Sequence, residues 1–176
     1  MTIVPDTKDW TWVLTRPCAE CGFDAPALDR ADLPSRLRQV AAELAAALSA
    51  PDARQRPVPT VWSALEYGCH VRDVFRLFRT PLELILGEDD PLFPNWDQDE
   101  TAIQDRYGEQ DPTVVSRDLV SAAERLASAF EDVPQHAWQR PGRRSDGAAF
   151  TLTTFSQYLL NDPVHHLWDV QHPPRP

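Results

Sequence analysis

Imidazole is the commonest protein ligand for transition metals and the side chain that titrates nearest neutral pH. The five histidines of this chain are therefore where chemistry is sought first. His70 sits in an apolar segment; far downstream, His165 and His166 stand side by side within Asn161-Asp162-Pro163-Val164-His165-His166-Leu167-Trp168-Asp169. His136 and His172 are isolated. On a helix, Tyr158, Asn161, His165 and Trp168 fall three and four residues apart and share one face. Asn161 and His165 on that face, with His70 from a second helix, predict a three-point donor set that leaves open positions for water and substrate. A metal there would acidify a bound water or hold a substrate thiol as thiolate. The alternative is structural, with His70 a hydrogen-bonded core histidine and His165 its partly buried neighbour. On either reading His166 faces away.

Those faces need long helices to carry them. Asp32-Leu33-Pro34 reads as a helix start, with Asp32 as N-cap, and Leu33, Leu37, Val40, Leu44 and Leu48 follow at helical spacing until Pro51. Ser63-Ala64-Leu65-Glu66 is a capping-box pattern. It opens a second helix whose stripe of Leu65, Val74, Phe75, Phe78, Leu82 and Ile85 reaches Gly87, with a kink expected at Pro81 and His70 facing inward. Glu88 to Gln110 is an acidic connection around Trp96, long enough to be functional or to hold a short helix, expected over Thr101 to Tyr107. A third helix starts at Asp111-Pro112 and runs through Val115, Leu119, Ala122, Leu126 and Phe130 to near Pro134. Gln139 to Gly147 reads as a polar loop. The fourth helix is expected from Thr153 to Val170, where Pro163 could break it and let Asp162 cap a new segment.

With no persuasive strand pattern, the architecture is an all-α four-helix bundle whose ligand site lies between facing helices. Trp10 and Trp12 alternate as in a short extended arm. The expected organisation is one domain: an N-terminal arm over residues 1–31, a four-helix core over 32–170 with a long loop between helices 2 and 3, and a Pro-rich tail over 171–176.

Composition narrows the partners. The chain has 176 residues, 42% apolar and 25% charged, with a net charge of −10. That balance argues against nucleic acid, whose phosphates need clustered Lys and Arg. No apolar run is long enough for a membrane span, and Met1 to Lys8 lacks the order of a secretory leader. A cytoplasmic protein is expected, and three cysteines, Cys18, Cys21 and Cys69, do not make a disulfide framework.

Other motifs have smaller claims. Cys18-x2-Cys21-Gly22 is half of a zinc knuckle that lacks two further ligands, a redox dithiol, or a plain turn. Asp97-Gln98-Asp99-Glu100 lacks the third acid and glycine of a calcium loop and reads as solvated. Arg143 and Arg144 could meet an anionic substrate group or belong to a turn closed by Asp146-Gly147.

His70 within Trp62-Ser63-Ala64-Leu65-Glu66-Tyr67-Gly68-Cys69-His70-Val71, followed by Asn161-Asp162-Pro163-Val164-His165-His166, resembles the DinB/YfiT-like superfamily from about Leu33 to Val170. The arm, with Pro17-Cys18-Ala19-Glu20-Cys21-Gly22-Phe23-Asp24, is similar to that of an actinobacterial subgroup. The resemblance implies a four-helix bundle with a divalent metal (zinc, nickel or iron) on one histidine of the second helix and a His-x3-His pair of the last. One branch, the mycothiol-dependent maleylpyruvate isomerases, has Glu for the first His of that pair. It further implies a metal-dependent thiol S-transferase or isomerase with a low-molecular-weight thiol of the mycothiol type, a small-molecule substrate and pairing as a homodimer. Carried over, the ligands are His70, Asn161 and His165. From the residues themselves, Trp96, Tyr158 and Trp168 are expected to wall the pocket, Arg143 and Arg144 to meet an anionic substrate, and Cys18 and Cys21 to be a second candidate metal pair. Asn161 departs from the pattern, because an amide oxygen is a weak donor beside imidazole or carboxylate. The alternative is thus a metal-free, non-catalytic small-molecule-binding protein, with no cofactor if Asn161 abolishes the site.

Overall fold

In the computed structural model, which describes Ile3 and residues 9–174, the apolar spacing of the sequence becomes six helices among the described residues. They are α1 (Leu33–Ala47), α2 (Ala64–Leu77), α3 (Arg79–Gly87), α4 (Gln98–Gln104), α5 (Pro112–Glu131) and α6 (Leu152–Gln171). The long members are α1, α2, α5 and α6. Local chemistry starts three of them. Ser63 and Glu66 cap α2 reciprocally, Ser63 Oγ accepting from the Glu66 amide and the Glu66 carboxylate from the Ser63 amide. Asp111 accepts from the amides of Thr113 and Val114 ahead of α5, and Thr151 and Thr154 cap α6 in the same reciprocal way. Asp32 does not fill its expected role: its backbone is already helical and its side chain makes no cap bond.

The second helix is shorter than its apolar stripe. Pro81 has no N–H to give and its ring crowds the carbonyl four residues back, that of Leu77. The chain accordingly breaks at Phe78, and α3 continues to Gly87. The short helix in the acidic connection starts earlier than expected, at Gln98, because Asp97 caps it by accepting from the Glu100 amide.

Helices α1 and α2 each pack against both α5 and α6, so the two that are consecutive in the chain sit diagonally across the bundle. The core between them includes Leu37 and Leu44 of α1, Val74 and Phe75 of α2, Leu119 and Leu126 of α5, and Phe155 and Leu159 of α6, each at most 1% exposed. Each such side chain contributes roughly 1.5–3 kcal/mol through burial.

Strands also occur, where none was expected. β1 (Leu92–Phe93) lies parallel to β2 (Pro141–Arg144), which pairs antiparallel with β3 (Ala149–Thr151). Two to four residues are too few for an alternating signal, and Pro141-Gly142-Arg143-Arg144 reads as loop. The ribbon needs Gly142: a Cβ there would come within 2.7 Å of the Ile85 side chain. The N-terminal arm is not extended. It makes 3-10 turns over Trp10–Leu14 and Ala25–Ala27, and both rest on α6. The polar start apart from Ile3, and Arg175 and Pro176 of the tail, lie outside the described residues. No described helix is long and apolar enough to cross a membrane.

Candidate metal centre and its cavity

Helix α6 runs unbroken through Pro163. Residues 162 and 166, one turn apart, therefore stay stacked on one face, and that face meets α2. His70 Nε2 lies 3.2 Å from Asp162 Oδ1 and 3.3 Å from Oδ2. His166 Nε2 lies 3.7 Å from Asp162 Oδ2, and the His70 and His166 rings meet edge to face at 4.8 Å. One donor atom from each of the three lies within 4.8 Å of the others.

The histidine and carboxylate donors that converge are His70, Asp162 and His166, while Asn161 and His165 of the expected set line a small cavity beside them with Asp162 and His166. Asn161 and His165 are buried, at 3% and 7% exposure, but under the N-terminal arm: Trp10 packs on the His165 ring at 5.0 Å. His166 does not face away. The spacing Asp162-x3-His166-x2-Asp169, a single helical face, was the available signal.

Each donor is positioned by its neighbours. His70 is fully buried between Trp62 at 5.3 Å and Trp96, which stacks on it at 5.3 Å and 7°. Its Nδ1 has no partner among the described residues, so Nε2 is the nitrogen aimed at the cluster. His166 Nδ1 lies 3.0 Å from Asp169 Oδ2, a carboxylate backing that turns Nε2 inward. Burial pushes the Asp162 carboxyl up, yet His70 and His166 outweigh it and hold the group below the ordinary carboxylate range. Two imidazoles and one carboxylate on rigid helices are a donor set that fits a divalent transition ion.

Beside Asp162 opens a cavity of about 300 Å³ walled by Phe78, Phe93, Trp96, Phe150, Phe155 and Tyr158. Its charged lining residues are Asp162 and Arg144. Arg144 donates to the Tyr158 hydroxyl at 2.9 Å, pairs with Asp146 at 2.8 Å and lies over the Tyr158 ring at 5.2 Å. A wider groove of about 850 Å³, carrying Asp97, Asp99 and Glu100, shares Trp96, Gln98, Arg144 and Tyr158 with the cavity.

Among the expected substrate contacts, Trp96, Tyr158 and Arg144 line this space; Trp168 and Arg143 do not. Trp168 stacks on His165 at 6.0 Å and on His172 at 4.9 Å. Arg143 pairs with Asp90 at 3.0 Å and stays 57% exposed, because successive strand residues point to opposite faces. Phe150 and Phe155, which sequence reasoning missed, reach the cavity through the unforeseen strand β3 and the first turn of α6.

Cys18 and Cys21 gain a neighbour that their spacing did not disclose. Cys18 Sγ lies 3.6 Å from His165 Nδ1, and donor atoms of Cys18, Cys21 and His165 fall within 4.8 Å of one another. Burial, with the adjacent Cys18, pushes the Cys21 thiol up to about 11, which is not the poise of a redox nucleophile.

The sequence matches the model of the DinB superfamily over residues 35–170. The structure is similar to YfiT from Bacillus subtilis, described as a probable metal-dependent hydrolase with an unusual four-helix bundle topology. That likeness has a TM-score of 0.70 at 17% identity and covers 80% of this chain and 82% of the other, which shows the fold. No curated protein matches the chain.

Proposed function

The chain belongs to the DinB superfamily, and from that premise we propose that it is a divalent-metal-dependent enzyme centred on His70, Asp162 and His166. The observation that carries the reading is the convergence of these three donors at the wall of an aromatic cavity, with Asp169 behind His166. With Asp162 as the third donor, a carboxylate supplies the anionic ligand that the amide of Asn161 could not. A bound divalent ion supplies Lewis acidity, lowering the pKa of a thiol or water beside it.

The chain's own residues do the rest. Trp62 and Trp96 cover the faces of His70 and keep water from it. The aromatic walls take the apolar body of a small electrophile, and Arg144 holds an anionic or carbonyl group on it. Burial pushes the Tyr158 hydroxyl up despite Arg144, so it remains a neutral hydrogen-bond donor. The open groove joins the cavity at Trp96 and Tyr158, where a second, polar reactant can reach the same centre. Its carboxylates repel an anionic thiol and can accept from a hydroxyl-rich, uncharged one of the mycothiol type. A thiol S-transferase or isomerase is the reading this supports best.

The likeness to YfiT favours a second reading, a hydrolase in which water replaces the thiol. Protein purified without a histidine tag, loaded with zinc, nickel or iron and offered a panel of small aromatic electrophiles, separates them. Thiol consumption proportional to bound metal supports the transferase; equal turnover without thiol supports the hydrolase. Failure to bind metal at the three residues after reconstitution at neutral pH defeats both and leaves a metal-free binding protein.

A further inference from the structure

The arm segment Pro17-Cys18-Ala19-Glu20-Cys21-Gly22 closes on itself. The Gly22 amide donates to the Cys18 carbonyl and the Cys18 amide to the Phe23 carbonyl, each at 2.9 Å, and Gly22 completes the turn at φ +73°. Both sulfurs come to one side of this loop, against α6. There His165 Nδ1 lies 3.6 Å from Cys18 Sγ, and the three donor atoms of Cys18, Cys21 and His165 lie within 4.8 Å of one another. Cys18 and His165 are buried, at 3% and 7% exposure. The opposite ring nitrogen, Nε2, faces the Glu20 carboxylate at 3.3 Å. A carboxylate in that position fixes an imidazole and presents its other nitrogen to a metal. Glu20 lies between the two cysteines, so one short loop supplies both the sulfurs and the group that orients the histidine.

We propose that Cys18, Cys21 and His165 form a second metal centre, separate from the His70 cluster, which holds zinc and fastens the N-terminal arm to α6. Two thiolates and an imidazole select zinc over the harder divalent ions, and three protein donors leave a fourth tetrahedral position for water. The fastened arm keeps Trp10 on the His165 ring. Trp10 in turn walls a small cavity with Asn161, Asp162 and His166, so the second centre braces the surroundings of the first. No ligand is shared, although Asp169 stands between the two, its Oδ2 3.0 Å from His166 Nδ1 and its Oδ1 3.8 Å from His165 Nε2.

The test uses the whole chain, reduced and without a histidine tag, titrated with cobalt(II) and then zinc. Sulfur-to-cobalt charge transfer absorbs in the near ultraviolet, and the His70 cluster has no sulfur to produce it. The expected result is a band in the wild type that survives in His70→Ala and in Cys69→Ala and vanishes in Cys18→Ser/Cys21→Ser. That double variant binds one zinc fewer per chain, and its arm is cut by protease roughly tenfold faster. Absence of the band from reduced wild-type protein, which needs no variant to fold, contradicts the proposal. So does a band that persists without Cys18 and Cys21.

Discussion

Helix α6 feeds two donor clusters from adjacent residues: His166 joins His70 and Asp162, whereas His165 joins Cys18 and Cys21. The clusters differ in what holds their halves together. The first bridges two long helices whose contact is set by the core, with Val71, Val74 and Phe75 of α2 in the same buried cluster as Phe155, Leu159 and Leu160 of α6. The second bridges α6 and an arm whose buried residues, among those described ahead of α1, are Val13, Cys18 and Ala25. A site held by a packed core is shaped before anything binds; a site on a lightly packed arm gains rigidity from binding. The first arrangement suits chemistry and the second suits attachment.

The largest effect comes from the shared scaffold. Phe155→Ala removes a fully buried ring beneath the cavity and should cost about 3–5 kcal/mol in denaturant unfolding. A cost below about 1 kcal/mol would place that wall outside the cooperative core on which the contrast depends. Next comes His70→Ala, which should weaken metal binding at the first cluster by more than about 100-fold, beyond the usual cost of losing an outer-shell partner, while the cobalt–sulfur band of the second persists. Loss of both signals together would merge the two sites into one. Asp169→Asn, which unseats His166 without removing a ligand, should weaken the first site by about 10–100-fold in competitive titration.

A smaller effect concerns the start of the helix that carries His70. Burial raises the Glu66 carboxyl, but Arg56 and Ser63 lower it more, so its folded pKa sits below the ordinary value. The stabilisation it supplies is complete above the ordinary carboxylate range and is lost as pH falls through the folded value. Glu66→Gln should therefore cost about 1 kcal/mol near pH 7, the usual worth of a cap. Its stability should converge on that of the wild type in acid; a gap that widens there would reverse the assignment.

The long helices were legible because their apolar spacing and their caps at Ser63 and Asp111 are local signals. His70 and Tyr158 were legible for the same reason, whereas Arg144 could not be told from Arg143 without the strand β2 that turns one of them into the cavity. The choice between Asn161/His165 and Asp162/His166 was not local. One residue is about 100° of helix, and which face meets α2 depends on what covers the other. Here the arm covers it, through contacts between Trp10, Cys18 and His165 that lie far apart in sequence. The strands were hidden by their shortness, and with them the placing of Phe93 and Phe150 in the cavity.

If Asp162, and not its neighbour Asn161, completes the first centre, the two side chains must differ in what their loss does to metal affinity. In the Cys18→Ser/Cys21→Ser background, where only the first site remains to be read, competitive zinc titration of Asp162→Ala against Asn161→Ala tests this directly. Asp162→Ala should lose more than about 100-fold in affinity while Asn161→Ala stays within a few-fold of its parent. The reverse order, affinity lost with Asn161 and kept without Asp162, would contradict Asp162 as the third ligand.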